Sequence, residues 1–360
     1  MCILLETHAR ACLRGCQARP CPRGPARIGS ATVSMRTHIL QATPEALTRA
    51  AEIIRAGGLV AFPTETVYGL GADALSPAAV ARIFEAKERP RGNPLIVHVA
   101  DAAAIGEVAV RVTDRARDLL ARFWPGPLTL VLERASGVPL LTTGGLDTVA
   151  VRAPSHPVAQ ALIRAAGRPL AAPSANRSGR PSPTRAQHVR EDLEGRIELI
   201  LDGGATSVGL ESTVLDMTTE PPTLLRPGGV TLERLEAHLG VVRHATSDDE
   251  AAGRSPGLRF RHYAPRARVL LVDAGSGEVA VTSWLDEGKS VALMAQRPIA
   301  LRRPGLRVRA MPVDLEAYGR ELFEALRDLD ATGVDAIFVE GIAEVGLGRA
   351  IMDRLRRAAS

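Results

Sequence analysis

Lys87, Arg89 and Asn93 put two fixed cations and an amide into one short stretch, beside a turn built on Pro90 and Gly92. An ammonium meets phosphate oxygens as a compact point charge and a guanidinium meets them as a planar fork. The lysine stands out by composition, because of 45 basic residues only Lys87 and Lys289 are lysines. Upstream, Thr64, Thr66 and Tyr68 sit with Gly69 and Gly71 in a run of hydroxyls and unhindered backbone. Downstream, Ser174, Asn176, Ser178 and Ser182 lie in a Ser/Asn/Gly/Pro-rich loop, where hydroxyls and N–H groups can surround phosphate or ribose. Arg152 closes an apolar run, a place suited to bidentate carboxylate binding, and His98 sits inside another. Together these groups suit a small anionic or phosphorylated ligand. Each also has a plainer reading: a solvated lysine at a helix C-terminus, a structural arginine salt bridge, a core histidine, a surface loop.

Four apparent motifs fail on context. Gly69-x-Gly71-x-x-Ala74 imitates a dinucleotide fingerprint, but a polar loop separates it from the preceding strand and Ser76 restarts the helix. Gly288-Lys289-Ser290 ends like a phosphate-binding loop, yet Ser283 stands where glycine is required. Gly253-x-Ser255-x-Gly257 has Pro256 in what would be a nucleophile elbow. Cys12, Cys16 and Cys21 lack the C-x2-C spacing of a zinc site.

The elements that must position the polar groups follow from caps and periodicity. Leu59 to Phe62 reads as a strand ended by Pro63. Ser76-Pro77 supplies an N-cap and an N1 proline to a helix carrying Ala79, Val80, Ile83 and Phe84 at helical spacing. Leu95 to Val99 returns as a strand. Thr43-Pro44-Glu45 opens an earlier helix that stops at Gly57-Gly58. Thr113 caps a helix to about Phe123, Leu128–Leu132 and Thr148–Arg152 are strands, and Ser155-His156-Pro157 starts a helix through Ile163. Short strands at 169–172, 197–201 and 213–216 complete an α/β pattern with a mixed, twisted sheet. From Val242 to Arg268 the periodicity lapses as in a linker, although His262-Tyr263-Ala264-Pro265 argues for a working segment. Strands at 269–272, 291–295 and 336–339, with helices near 316–329 and 347–357, form a smaller α/β unit. The expected division is a tail (1–34), a first domain (36–243), a linker over the site (244–267) and a second domain (268–360).

A chain of 360 residues fits two or three domains. No apolar run approaches the roughly 20 residues that span a bilayer, so no membrane association is expected. The formal charge of +5 is concentrated in the first 34 residues, where five arginines face Glu6 alone. The nearly neutral remainder allows at most weak, salt-sensitive RNA binding. All four cysteines also lie in this tail, which fits a reducing, cytoplasmic setting without a disulfide framework. The tail reads as disordered or as translated from an upstream start, with Met35 the natural first residue. Its arginine-rich, acid-poor composition also fits a transit peptide.

FPTETVYGLGADA (62–74) and KERPRGNPLIVHV (87–99) closely resemble the YrdC-like domain of threonylcarbamoyl-AMP synthases. WPGPLTLVL, DTVAVRAPSHP, APSANRSGRPSPT, LESTVLD and LLRPGGV follow in family order, and the SPGLRFRHYAP segment with the rest resembles the long, two-domain form. The resemblance implies a YrdC-like twisted mixed sheet with helices, plus a Rossmann-like α/β C-terminal domain. It implies synthesis of threonylcarbamoyl-AMP from L-threonine, bicarbonate or CO2, and ATP, with release of pyrophosphate. By the same resemblance, Thr66, His98, Arg152 and Ser212 bind L-threonine. Lys87, Arg89, Asn93, Thr148, Ser174, Ser182 and Arg226 bind ATP, and Tyr263 closes over it. Lys87 and Arg89, with Mg²⁺ whose ligands stay unassigned, carry the charge neutralisation, and no covalent nucleophile is implied. Lys87→Ala is accordingly expected to lose rate with the fold intact. Leu258 departs from the family's methionine or threonine. The product would feed N6-threonylcarbamoyladenosine modification of tRNA through separate downstream transfer proteins. Two alternatives stay open: a hydrogenase-maturation carbamoyltransferase, which should carry an acylphosphatase-like segment and C-x2-C zinc motifs, and a non-catalytic double-stranded-RNA or ribosome-maturation module, which should carry a broad basic face.

Overall fold

The computed structural model describes residues 35–245 and 262–360. The cysteine-bearing tail, the Gly253–Gly257 motif, Leu258 and most of the expected linker lie outside the described residues. In chain order come β1 (His38–Gln41), α1 (Pro44–Arg55), β2 (Val60–Phe62), β3 (Gly69–Asp73), α2 (Pro77–Lys87), β4 (Ile96–His98), β5 (Ala109–Val110) and α3 (Asp114–Phe123). Then follow β6 (Leu128–Arg134), β7 (Thr148–Arg152), α4 (Pro157–Ala166), β8 (Leu170–Ala171), α5 (Ala186–Leu193), β9 (Leu199–Asp202), β10 (Thr213–Asp216), β11 (Thr223–Arg226), α6 (Leu232–Leu239) and β12 (Arg243–His244). The hydroxyls of Thr43, Ser76 and Thr113 accept the backbone N–H groups of Ala46, Ala79 and Ala116 at the starts of α1, α2 and α3. Each such cap is worth about 1 kcal/mol.

These strands form one twelve-stranded mixed sheet in the order β1-β9-β2-β3-β8-β4-β7-β6-β10-β11-β12, with β5 on the edge of β6. One face is packed by α2, α3, α5 and α6 around Val97, Leu130, Val149 and Val151. Of the opposite face, the part near β1, β9 and β2 is packed by α1 and α4. Beyond β8 that helical cover stops, and the sheet face bears a small apolar patch of Ile96, Val131, Ala150, Val214 and Leu225. The site lies where the helices leave off.

The glycine-rich run, not among the strands expected from the sequence, is β3, paired antiparallel with β2 so that Phe62 opposes Gly69 and Val60 opposes Gly71. The Phe62 ring occupies the space side chains would need there: a Cβ on Gly71 would stand 2.7 Å from its Cε1. The glycines serve close packing in a strand, which removes the dinucleotide reading by a second route.

A second, all-parallel sheet holds β13 (Arg268–Val272), β14 (Val291–Ala295), β15 (Leu306–Ala310) and β16 (Ala336–Glu340) in the order β13-β16-β14-β15. Its helices are α7 (Gly277–Asp286), α8 (Leu315–Ala331) and α9 (Leu347–Ala359). In a Rossmann-like fold the first helix N-terminus is where a phosphate would sit. Here Glu340 fills it, its Oε1 accepting the Gly277 N–H at 3.0 Å, and Arg297 bridges Glu340 and Glu278 at 2.8 and 2.9 Å. The core of this unit also takes in Val67, Leu210 and Tyr263 from outside it. Gly209, at φ +76°, lies so close to α8 that a Cβ would come within 2.4 Å of Arg320 Cα.

Candidate active site

Strand alternation selects which side chains share the uncovered face. The register pairs Ile96 with Ala150 and His98 with Arg152 across β4 and β7. It pairs Val131 with Ala150 across β6 and β7, and Val214 with Thr129 across β10 and β6. So Ile96, His98, Thr148, Ala150, Arg152, Thr129 and Val131 project to one side, and Ser212 joins them through a 2.7 Å hydroxyl contact with Thr129. A cavity on this face is lined by Thr64, Thr66, Val67, Gly69, Arg89, Ile96, His98, Arg152, Ala172, Pro173, Ser174, Glu211, Ser212, Arg226, His262 and Tyr263.

At one end Arg152 is held on three sides. Its Nε donates to the Gly126 carbonyl at 3.1 Å, its Nη1 to Thr66 Oγ1 at 2.9 Å, and its Nη2 forms an ion pair with Glu65 Oε1 at 2.6 Å. A guanidinium has five N–H donors; the contact with Glu65 is an ion pair without hydrogen-bond geometry, so one N–H remains on Nη1 and two on Nη2. The strand-end arginine is thus both an internal ion pair and a cavity-facing cation. Glu65 is also fixed by accepting the Ser155 N–H at 3.1 Å. His98 lies with Nδ1 3.3 Å from the Ile96 carbonyl, so Nδ1 carries the proton and Nε2 is an acceptor. Burial, reinforced by Arg152, pushes its pKa down to about 3, and the imidazole is neutral at pH 7. Ser212 receives a 3.2 Å hydrogen bond from Arg226 Nη2.

At the other end Arg89 donates through Nη2 to the Pro94 carbonyl at 3.0 Å, while its buried Nε has no hydrogen-bond partner among the described residues. Burial, offset by Tyr263 and reinforced by Arg226, lowers its pKa to about 10; it remains a cation. Lys87 is buried rather than solvated, and its Nζ donates to the carbonyls of Ser174 and Asn176, both at 2.5 Å. Burial and the neighbouring Arg89 press its pKa well below the ordinary lysine range. It stops one carbonyl short of the cavity and shapes the 174–176 loop from behind. Ser174 Oγ donates to Asn176 Oδ1 at 2.5 Å. Tyr263, at φ +64°, a region bulky residues rarely adopt, stacks on Phe323 with ring centroids 5.2 Å apart.

The structure therefore gathers Thr66, Arg89, His98, Arg152, Ser174, Ser212, Arg226 and Tyr263 around one cavity. Lys87, Asn93, Thr148 and Ser182 are not among its lining residues. Asn93 precedes β4 and Thr148 begins β7, so both stand at the strand ends opposite His98 and Arg152. Thr148 is roughly 13 Å along the strand from Arg152, though on the same face. Ser182 Oγ donates to Glu211 Oε1 at 2.5 Å. Sequence reasoning assigned no site role to Glu65, Glu211 or His262. Two lie inside motif blocks already singled out and the third adjoins Tyr263, but carboxylates run against the expectation for an anion site. Burial together with Arg89 and Lys87 pushes His262 to about 3, so it too is neutral. Glu211 is paired with Arg354 at 2.7 Å. With both nearby carboxylates committed to arginines, and no group of three His, Cys, Asp or Glu side chains fit for a metal among the described residues, a protein-built Mg²⁺ cage does not fit here.

Two family sequence models match the chain, one described as "Telomere recombination" over residues 52–228 and one as "Threonylcarbamoyl-AMP synthase, C-terminal domain" over residues 230–360. A threonylcarbamoyl-AMP synthase of Pyrococcus abyssi is 50% identical over 86% of this chain and 92% of its own length. One of Bacillus subtilis is 43% identical over 87% and 92%. The crystal structure of P. abyssi Sua5 complexed with L-threonine superposes with a TM-score of 0.83 at 46% identity, covering 90% of this chain and 97% of that one. The chain belongs to the threonylcarbamoyl-AMP synthase family.

Proposed function

We infer that this cavity makes L-threonylcarbamoyl-AMP from L-threonine, bicarbonate or CO2, and ATP, releasing pyrophosphate. The observation that carries the reading is the facing of three buried guanidiniums, Arg89, Arg152 and Arg226, into one cavity whose polar end also holds a neutral histidine acceptor. Such a wall is short of negative charge until anions enter. The amine of threonine loses a proton and adds to CO2, forming the N–C bond of a carbamate. A carbamate oxygen then bonds to the α-phosphorus as the bond to the β-phosphate oxygen breaks and pyrophosphate leaves. Because the phosphorus is already electrophilic, positioning and charge neutralisation are the protein's main tasks.

In this reading the free N–H groups of Arg152 take the threonine carboxylate. Thr66, His98 Nε2 and Ser212 meet the hydroxyl and amine, which penalises analogues lacking them. Arg89 and Arg226 face the phosphates. Ser174 lies beside them, and Asn93, Thr148 and the Ile96–Ala150 patch extend toward the nucleoside. Ser182 and Lys87 act by holding loops, and Tyr263 closes the wall from the expected linker. Mg²⁺, if required, would ride on the nucleotide phosphates, since it keeps much of its water and uses few protein ligands. No helix among the described residues is long and apolar enough to cross a membrane, and a cytoplasmic setting suits a product passed to tRNA-modifying transfer proteins. Pyrophosphate release, measured with each co-substrate omitted in turn, tests the reading. Turnover requiring both threonine and bicarbonate is expected; turnover indifferent to threonine would refute it.

A further inference from the structure

Arg354 belongs to α9 of the second sheet unit, yet its guanidinium ends against Glu211 and Tyr263, which line the cavity. Its side chain is fully buried and its Nε is 2.7 Å from Glu211 Oε2. From there the chain of contacts runs through Glu211 Oε1 to the Ser182 hydroxyl at 2.5 Å. Arg354 Nη2 also donates to the Pro227 carbonyl at 3.0 Å, beside Arg226, and its guanidinium carbon lies 5.5 Å from the Tyr263 ring centroid. One side chain thus touches three separate loops around the cavity and reaches a fourth through Glu211. We propose that Arg354 is a positioning residue for the nucleotide half of the site, and that the second domain exists in this chain partly to deliver it.

The charge balance explains why neutral packing would not serve. Glu211 faces Arg354 from α9, Arg226 from β11, the Ser182 hydroxyl, and His262 and Tyr263 from the segment before β13. Burial alone would raise its carboxyl, but Arg354 and then Arg226 outweigh burial and hold it below the usual carboxylate range. Without Arg354 the carboxylate would turn to Arg226, drawing that guanidinium from Ser212 and from any phosphate. Removing one member of a buried pair is more disruptive than removing both.

The proposal rests on the reading that ATP enters this cavity, so its test has one readout that needs no ATP. In full-length protein, Arg354→Met is expected to speed hydrogen exchange in residues 178–184 and 262–267 while β14 and β16 stay protected. ATP affinity at pH 7.5 should fall about tenfold, recovering toward pH 6 as Glu211, released from Arg354, takes up a proton at higher pH and no longer draws on Arg226. Adding Glu211→Gln should restore affinity to within about threefold and flatten the pH profile, and Arg354→Lys should lie between. Unchanged exchange in the two loops overturns the proposal whatever ATP does. A loss of affinity that Glu211→Gln leaves uncorrected overturns it too, marking Arg354 as general scaffolding. If exchange responds as stated but wild type takes up no ATP, the positioning role stands and the nucleotide reading falls.

Discussion

Arg152 donates through two nitrogens to two acceptors and meets Glu65 as an ion pair through the third, and that geometry sets what a substitution removes. A lysine at this position could replace at most the ion pair with Glu65, leaving Thr66 and the Gly126 carbonyl without their donor. Arg152→Lys is therefore expected to weaken threonine binding by ten- to a hundredfold with a smaller effect on ATP, as separate titrations with each ligand would show. Equal losses for both would place Arg152 outside the amino-acid end. Lys87 differs from its sequence-based expectation. Because it satisfies the buried Asn176 carbonyl, which costs about 1–3 kcal/mol when left unpaired, and the partly buried Ser174 carbonyl, Lys87→Ala should lower the urea midpoint as well as the rate. A variant with native stability would mean that the 174–176 loop does not depend on this contact.

At the scale of elements, β2 and β3 show what sequence could and could not disclose. Thr148–Arg152 was legible as a strand, and Thr43, Ser76 and Thr113 as caps, because periodicity and capping are local. The GLGAD run was not, since glycine lowers strand propensity and its reason, the Phe62 ring lying across it, comes from the partner strand. Glu211 and Arg354 were illegible for a related cause: each gains its role from a residue far along the chain. The glycine packing makes its own prediction. Gly71→Ala would press a fully buried Phe62 toward His98, whose ring it meets edge-on at 6.4 Å. Overpacking of this kind costs about 1–3 kcal/mol. The variant should lose stability and threonine affinity together, and Phe62→Leu in the same chain should recover part of both. Thermal melts and threonine titrations of the single and double variants would decide it; failure of the second change to help would locate the strain elsewhere.

For the whole molecule, the burial that shapes the cavity also sets its response to acid. His98 and His262 are pushed to about 3 and His188 to about 4, in each case first by burial and then by neighbouring arginine or lysine. In the unfolded chain all three return to about 6.5. As pH falls through that value the unfolded state takes up protons that the folded state refuses, so stability rises with pH in this window and falls toward acid. With three groups acting together, the steepest loss, between about pH 6 and 4, reaches roughly 4 kcal/mol per pH unit. Below it, carboxylates held low by arginine, Glu211 among them, add to the loss as they protonate. Urea unfolding at pH 7.5, 6.0 and 5.0 should show the midpoint dropping across the first interval and more than twice as steeply per pH unit across the second. His188→Gln, remote from the cavity lining, should make that second drop shallower. A midpoint indifferent to pH above 5 would mean these imidazoles are protonated in the folded state. His98 Nε2 would then be a donor rather than the acceptor that the proposed threonine end requires.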